Sequence, residues 1–249
     1  MTTIFTMAGL TVRVQHQYDD ILGVSSRFAV SGEDVTPDIS VEITDEDVRA
    51  EEQKTVAEAI LEQIPVVHYP DSYLETTAIY RKIADKLPAF GGVVFHGSAV
   101  AVGEKAVLFA AHSGVGKTTH TRLWLDQIPG SYVVNGDKPV IRLFDGTPYV
   151  CGTPWMGKEK LGCTDNVPLR AIVFLSRGEQ NTIEEVPVAS VLPRLIEQTY
   201  RSPDPLALSQ TLAVLKHVCS SVRFYKLICN MEPDAAKICF EGISAHGDL

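Results

Sequence analysis

Phe109-Ala110-Ala111-His112-Ser113-Gly114-Val115-Gly116-Lys117-Thr118-Thr119 is the stretch on which the reading of this chain turns. It continues the apolar run Ala106-Val107-Leu108-Phe109 and leads into a helical pattern from Lys117 to about Leu125. Strand, glycine-rich turn and helix in that order fit the phosphate-loop pattern, with Ala111 where the first glycine usually stands. A phosphate chain is bound mainly by backbone amides converging on one concavity, and residues without a side chain let the backbone come that close. Gly114 and Gly116 meet that need, and Ser113, Val115 and Thr119 complete the cradle. Lys117 brings a point charge to the β and γ phosphates, Thr118 a hydroxyl to Mg²⁺, and the helix starting here its positive dipole end. The residues therefore predict a nucleoside triphosphate bound with magnesium, without deciding between ATP and GTP.

Changes of periodicity organise the rest. The first 45 residues alternate in the strand manner, as in Leu10-Thr11-Val12-Arg13-Val14 and Ile39-Ser40-Val41-Glu42-Ile43-Thr44, and predict a small, largely antiparallel sheet. Ser72 followed three places on by Glu75 has the capping-box pattern, and Leu74, Ala78, Ile79, Ile83 and Leu87 predict a helix ending before Pro88. After Gly91-Gly92, strands are expected at 93–95, 99–102 and 106–109, then at 132–134 and 169–175. Helices are expected near 188–201 and 204–220, a strand at 222–229, and a closing helix from about Pro233. Interleaved strands and helices behind a β-rich leader predict an α/β fold. The expected division is residues 1–88, a β-rich region with a connecting helix, and residues 89–249, the phosphate-loop core.

Outward from the loop, His96-Gly97-Ser98 opens a strand, and Val133-Val134-Asn135-Gly136-Asp137-Lys138 follows the next one. In order and spacing these motifs resemble the catalytic core of HPr kinase/phosphorylase over about residues 91–180. More distantly they are similar to the ATP-using phosphoenolpyruvate carboxykinases, whose phosphate loop has a like Ser-Gly-x-Gly-Lys stretch. The leader and the C-terminal third are similar only to the looser HPr-kinase-like group. The resemblance implies a core of HPr-kinase/phosphoenolpyruvate-carboxykinase type and transfer of the γ-phosphate of ATP to a serine or other hydroxyl of a small protein, peptide or metabolite. It implies Mg²⁺ held by Thr118 and Asp137, and His96 near the transferred phosphate, where it stabilises charge or shuttles a proton.

The chain also departs from that pattern. HPr kinases carry two consecutive aspartates where Gly136-Asp137 stands here. The second acid's duty falls to Asp137, to His96 or to an acid elsewhere, or turnover is weak. The departure favours an alternative of another class, a nucleotide-binding regulatory module that changes shape without turnover. The C-terminal extension by which HPr kinases grip their partner is not recognisable, so HPr is not the expected acceptor. That family's hexamers make a homo-oligomer an expectation.

Cys151-Gly152-Thr153-Pro154-Trp155-Met156-Gly157-Lys158-Glu159-Lys160 combines backbone-permissive residues with an indole and two ammonium groups, a composition suited to closing over phosphates or acceptor. Lys158 is the candidate for neutralising transition-state charge, against the alternative of a solvated surface lysine. Trp155 reads equally as packing anchor or binding platform. On the helix after the loop only Arg122 is kept.

A formal net charge of −9 over 249 residues leaves no broad basic field for a nucleic acid, while a few lysines and oriented amides suffice for a small phosphorylated ligand. No apolar run reaches membrane-spanning length, and the first seven residues show no basic-then-apolar leader, so no membrane partner is expected and the cytoplasm is the expected location. The cysteines at 151, 163, 219, 229 and 239 show no metal-binding or thioredoxin-like spacing and are expected to be reduced.

Overall fold

The structure is a computed structural model and describes residues 1–18, 25–30, 35–61, 63–112, 114–247 and 249. Strands β1 (Thr2–Met7) and β2 (Leu10–Gln15) pair antiparallel across the turn at Ala8-Gly9. The short helix α1 (Ser25–Phe28) precedes β3 (Ile39–Glu42), which joins β2 in parallel, with Val12 opposite Ile39. This small sheet is mixed, where alternation had suggested antiparallel pairing. Alternation reports which face is buried and is blind to direction, and the long connection from Gln15 to Ile39 permits a crossover.

Helix α2 (Asp45–Leu61) was not expected: its buried positions are only Val48, Glu51 and Ala59, too few for an apolar stripe. Ion pairs tie it to α3 (Asp71–Lys86), with Arg81 on Glu51 at 2.8 and 3.0 Å and Lys82 on Asp47 at 2.6 Å. The predicted stripe of α3 is buried, at Leu74, Ala78, Ile79 and Ile83. The capping box is not formed: α3 begins after Pro70 without a side-chain cap. Glu75 is instead fully buried and accepts the backbone N–H groups of Gln17 at 2.7 Å and Tyr18 at 3.1 Å, fastening the helix to the end of β2.

A 3-10 turn (Leu87–Phe90) leads into the larger sheet. Its elements follow as β4 (Gly92–Val94), β5 (Ser98–Val102), β6 (Lys105–Ala110), α4 (Lys117–Gln127), β7 (Ser131–Asn135), β8 (Val140–Phe144), β9 (Thr147–Cys151) and β10 (Asn166–Arg177). Then come β11 (Thr182–Glu185), α5 (Leu192–Gln198), α6 (Pro205–Ser221), β12 (Arg223–Cys229) and α7 (Asp234–Ser244). Strands β8, β9 and β11 were not anticipated, and the helix expected near 188–201 is a 3-10 turn at Val188–Ser190 followed by the shorter α5.

Among the described residues nine strands form one curled sheet. The long β10 joins its two halves: Asn166–Pro168 pair antiparallel with β9, and the remainder lies parallel between β6 and β12. The period of two along β6 sorts its side chains. Ala106, Leu108 and Ala110 pack with Leu195 of α5 and Val214, Leu215 and Val218 of α6. Val107 and Phe109 pack with Trp124 of α4 and Cys239 and Ile243 of α7. Helices therefore cover both faces, as strands that are apolar on both sides require. All five cysteines are unpaired, and no helix among the described residues is long and apolar enough to cross a membrane.

This topology decides where chemistry gathers. β5 runs antiparallel to both β6 and β7, so β6 and β7 are parallel and end at the same edge, where β5 begins. Ser98 pairs with Phe109, and Ala99 with Asn135. The loop after β6, the turn after β7 and the segment before β5 are thereby brought together from three separate stretches of sequence.

Candidate functional site

At that edge lies a cleft of about 1150 Å³. Gly114, Gly116, Lys117, Thr118 and Thr119 line it from the loop and α4, His96 and Asp137 from the two adjoining segments, and Lys158 from the loop after β9. Ser113 lies outside the described residues. Val115 faces away from the cleft: its side chain packs against the Trp124 cluster, and its N–H donates to His112 O at 3.3 Å.

Gly114 and Gly116 take φ of 78° and 126°, and a Cβ at either would meet nothing within 4 Å. The backbone is bent as only glycine readily allows, and the space beside it is open. Helix α4 starts at Lys117 with no side-chain cap on its first turn, which leaves amides for an anion. Lys117 Nζ donates to Ala111 O at 2.7 Å, folding the ammonium back over the loop. Burial pulls this ammonium below its usual range, Asp137 opposes that shift, and Lys138 adds to it. From the other side, Arg177 at the end of β10 donates Nε to Val115 O at 3.2 Å and Nη2 to Gly114 O. It turns the loop's carbonyls outward, a role invisible in sequence because Arg177 lies far along the chain.

Asp137 is held by a buried polar network that the motif contained but did not explain. Asn135 Oδ1 accepts the N–H of Asp137 at 2.9 Å and of Lys138 at 2.8 Å, closing a turn at the end of β7. The Asn135 amide donates to Thr153 Oγ1 at 3.0 Å and Thr153 O at 3.2 Å, and Thr153 Oγ1 donates to Lys138 O at 2.8 Å. Both side chains are fully buried. Every member is satisfied by another, so the turn is specified rigidly. Thr153→Val, which keeps the shape and removes the hydroxyl, is expected to cost roughly 2–3 kcal/mol in urea unfolding by leaving Asn135 and the Lys138 carbonyl short of partners. An unchanged midpoint would show that the network contributes nothing.

Around the Asp137 carboxylate, Lys138 Nζ lies 3.0 Å from Oδ2 and His96 Nε2 lies 3.7 Å from Oδ1. The motif contains Lys138, but only the fold shows that its ammonium pairs with the neighbouring carboxylate. Burial, then the charges of Lys117 and Lys138, push His96 down to about 4, and Asp137 only partly offsets them. His96 is thus a neutral imidazole near pH 7, within reach of a carboxylate and two ammonium groups. Glu159 also lines the cleft, paired with Arg122 of α4, so the retained arginine clamps the loop that carries Lys158.

Helix α3 also lines the cleft, through Tyr73, Thr76, Thr77, Tyr80 and Arg81, with Tyr69 just ahead of it. Sequence reading missed this wall, although Tyr73, Thr76, Thr77 and Tyr80 recur at the i, i+3, i+4, i+7 spacing of one helix stripe. Trp155 is both anchor and platform: it packs against the N-terminal core, meets Tyr80 edge-on at 4.8 Å, and lines the cleft.

His120, buried on α4, accepts from Trp124 Nε1 at 3.1 Å, and burial pushes it down to about 4. Its ordinary value is about 6.5, so below that pH the unfolded chain takes up a proton that the folded chain refuses. Stability should therefore fall from pH 6.5 toward 4 by roughly 3 kcal/mol from this residue, with a smaller share from the more exposed His96. Urea unfolding of wild type and His120→Gln, which keeps an acceptor for Trp124, checks this. Equal pH slopes in the two proteins would contradict it.

No family model matches the chain, and no curated protein is detectably similar to it. Among solved structures, the Hpr(Ser) kinase/phosphatase from Coxiella burnetii matches at 9% identity over 62% of this chain and 95% of its own, with a TM-score of 0.35. At that score the likeness bears on neither fold nor function.

Proposed function

We propose that the cleft binds ATP with Mg²⁺ and that the chain is a kinase transferring the γ-phosphate to a hydroxyl. The observation that carries this reading is the meeting, at one sheet edge, of an open glycine loop with Lys117 and a rigidly held Asp137 beside His96. Phosphoryl transfer asks for positioning and charge neutralisation more than covalent help, and this cleft is built from those parts.

The site suits the metal. Mg²⁺ needs only one or two protein oxygens when phosphates supply the rest, and Thr118 and Asp137 both line the cleft. When bound, the ion neutralises charge on the transferring group. Loop amides and Lys117 hold the β and γ phosphates. The acceptor oxygen forms a bond to phosphorus as the bond to the ADP oxygen breaks, and the Asp137 carboxylate takes the hydroxyl proton. His96, uncharged, offers a hydrogen bond beside the transferred group, and Lys158 adds positive charge from the closing loop.

A second reading, a nucleotide-binding switch without turnover, is favoured by one observation. Asp137 is the only acid in its turn, and Lys138 already engages one of its oxygens. Incubation with labelled ATP and a lysate or metabolite pool, followed by identification of the labelled species, separates the two. Label on a defined acceptor, lost in Asp137→Asn, supports the kinase. Bound ATP with no labelled acceptor supports the switch.

The loop's outer brace gives a further expectation. Arg177→Met should weaken Mg·ATP binding about tenfold and speed hydrogen exchange at residues 114–116, with Arg177→Lys intermediate, because two loop carbonyls lose a charged donor. Wild-type affinity in Arg177→Met would remove that role.

A further inference from the structure

We infer that the face of α3 turned toward the cleft is the acceptor subsite, and that it selects a peptide in which a large apolar or aromatic side chain neighbours the hydroxyl-bearing residue. This rests on the kinase reading above. In an in-line transfer the acceptor approaches opposite the leaving ADP, on the side of the group that takes its proton. The phosphate loop occupies one wall of the cleft, and α3 provides another. Tyr80 meets Trp155 edge-on at 4.8 Å, and Trp155 O accepts the N–H of Lys138 at 3.3 Å, so this face of α3 adjoins the turn that carries Asp137. The α3 wall therefore stands on the Asp137 side, where the acceptor must sit.

The chemistry of the wall is aromatic and nearly uncharged. Tyr69 and Tyr73 stack at 4.6 Å with planes 27° apart, and Tyr80 meets Trp155 edge-on. Thr76 and Thr77 donate their hydroxyls to the helix carbonyls of Ser72 at 3.0 Å and Tyr73 at 3.2 Å. Arg81, the one cation on this wall, is engaged by Glu51 through two hydrogen bonds. Such a surface stacks on rings and aliphatic groups, and with Arg81 already paired it offers little to the charge of a phosphosugar.

The cleft of about 1150 Å³ leaves room for an acceptor beside a nucleotide, and the surface at its rim points to a peptide over a small metabolite. The chain leading into Tyr69 exposes Ile64, Val66 and Val67, and residues 64–70 are in neither helix nor strand. A metabolite confined to the cleft would leave this apolar strip uncovered, whereas an extended peptide seated at Asp137 covers the strip and the tyrosines together.

The test is labelling of a positional-scanning library of serine-centred peptides by wild type and by Tyr73→Ala, with labelled ATP, and with glycerol and inositol as control acceptors. Tyr73 is half exposed, so its truncation should leave the fold intact. Wild type is expected to label peptides with Phe, Tyr, Leu or Ile beside the serine about tenfold faster than those with glycine there, and Tyr73→Ala to reduce that ratio to about twofold. Equal labelling of aromatic and glycine peptides overturns the inference, as does a ratio unchanged in Tyr73→Ala, preferential labelling of the polyols, or no labelled peptide while ATP is hydrolysed. A tenfold loss of Mg·ATP affinity in Tyr73→Ala with the peptide ratio intact assigns the wall to the nucleotide base and also overturns it. Failure of wild type to bind Mg·ATP is a separate result, which overturns the kinase reading itself.

Discussion

Lys117→Ala is expected to abolish the rise in melting temperature that Mg·ATP gives the wild-type protein. A ligand that binds only the native state stabilises it by roughly 3 kcal/mol at a hundredfold excess over Kd, which for a chain of this length is a rise of about 5–10 °C. The Lys117 ammonium is half-buried, pulled toward neutrality by its surroundings, and makes one hydrogen bond, to Ala111 O, so its loss should cost the fold little. The variant should melt at or near the wild-type temperature without nucleotide and should show no shift with it. Calorimetry that finds equal Mg·ATP affinity in the two proteins would remove the phosphate-loop reading.

Asp137→Asn is expected to leave nucleotide binding within a few-fold of wild type and to reduce phosphoryl transfer by about a thousandfold or more. On the kinase reading proposed above, the loop amides and Lys117 would supply most of the affinity, whereas the carboxylate would act where charge develops and a proton leaves. The backbone N–H groups of the turn are satisfied by Asn135, so exchanging Oδ2 for an amide does not dismantle it. Transfer at the wild-type rate in Asp137→Asn would move the proton acceptor to another group, with His96 or Glu159 next in the cleft. Gly136→Asp is not the converse experiment. A Cβ at position 136 would sit 3.1 Å from Met156 O and 3.2 Å from Leu161 O, so an added acid must push the closing loop outward.

The strand, glycine turn and helix around Gly114 and Gly116 were legible because their signal is local: an apolar strand, glycines and a helix start lie in one run. The strands beside it were legible for the same reason. The sequence motifs also named His96 and Asp137, and topology explains why they meet, since β6 and β7 end where β5 begins. What escaped notice depends on distant partners. Helix α2 carries no apolar stripe and is tied down by Arg81 and Lys82 from another helix. Glu75 looked like half of a capping box and serves β2 instead. Arg177 and Thr153 act through contacts that span from 15 to 63 positions, and the tyrosine face of α3 gains meaning only once it lines the same cleft as the loop.

Hydrogen exchange with and without Mg·ATP tests the central claim most directly, because it reports binding and its location in one measurement. The loop at 114–119, the turn at Asp137 and the segment 153–160 should become protected together on adding Mg·ATP, since one ligand would bridge all three and draw the Lys158 loop inward. Protection confined to another surface, or exchange unchanged at all three segments at millimolar Mg·ATP, would contradict the account.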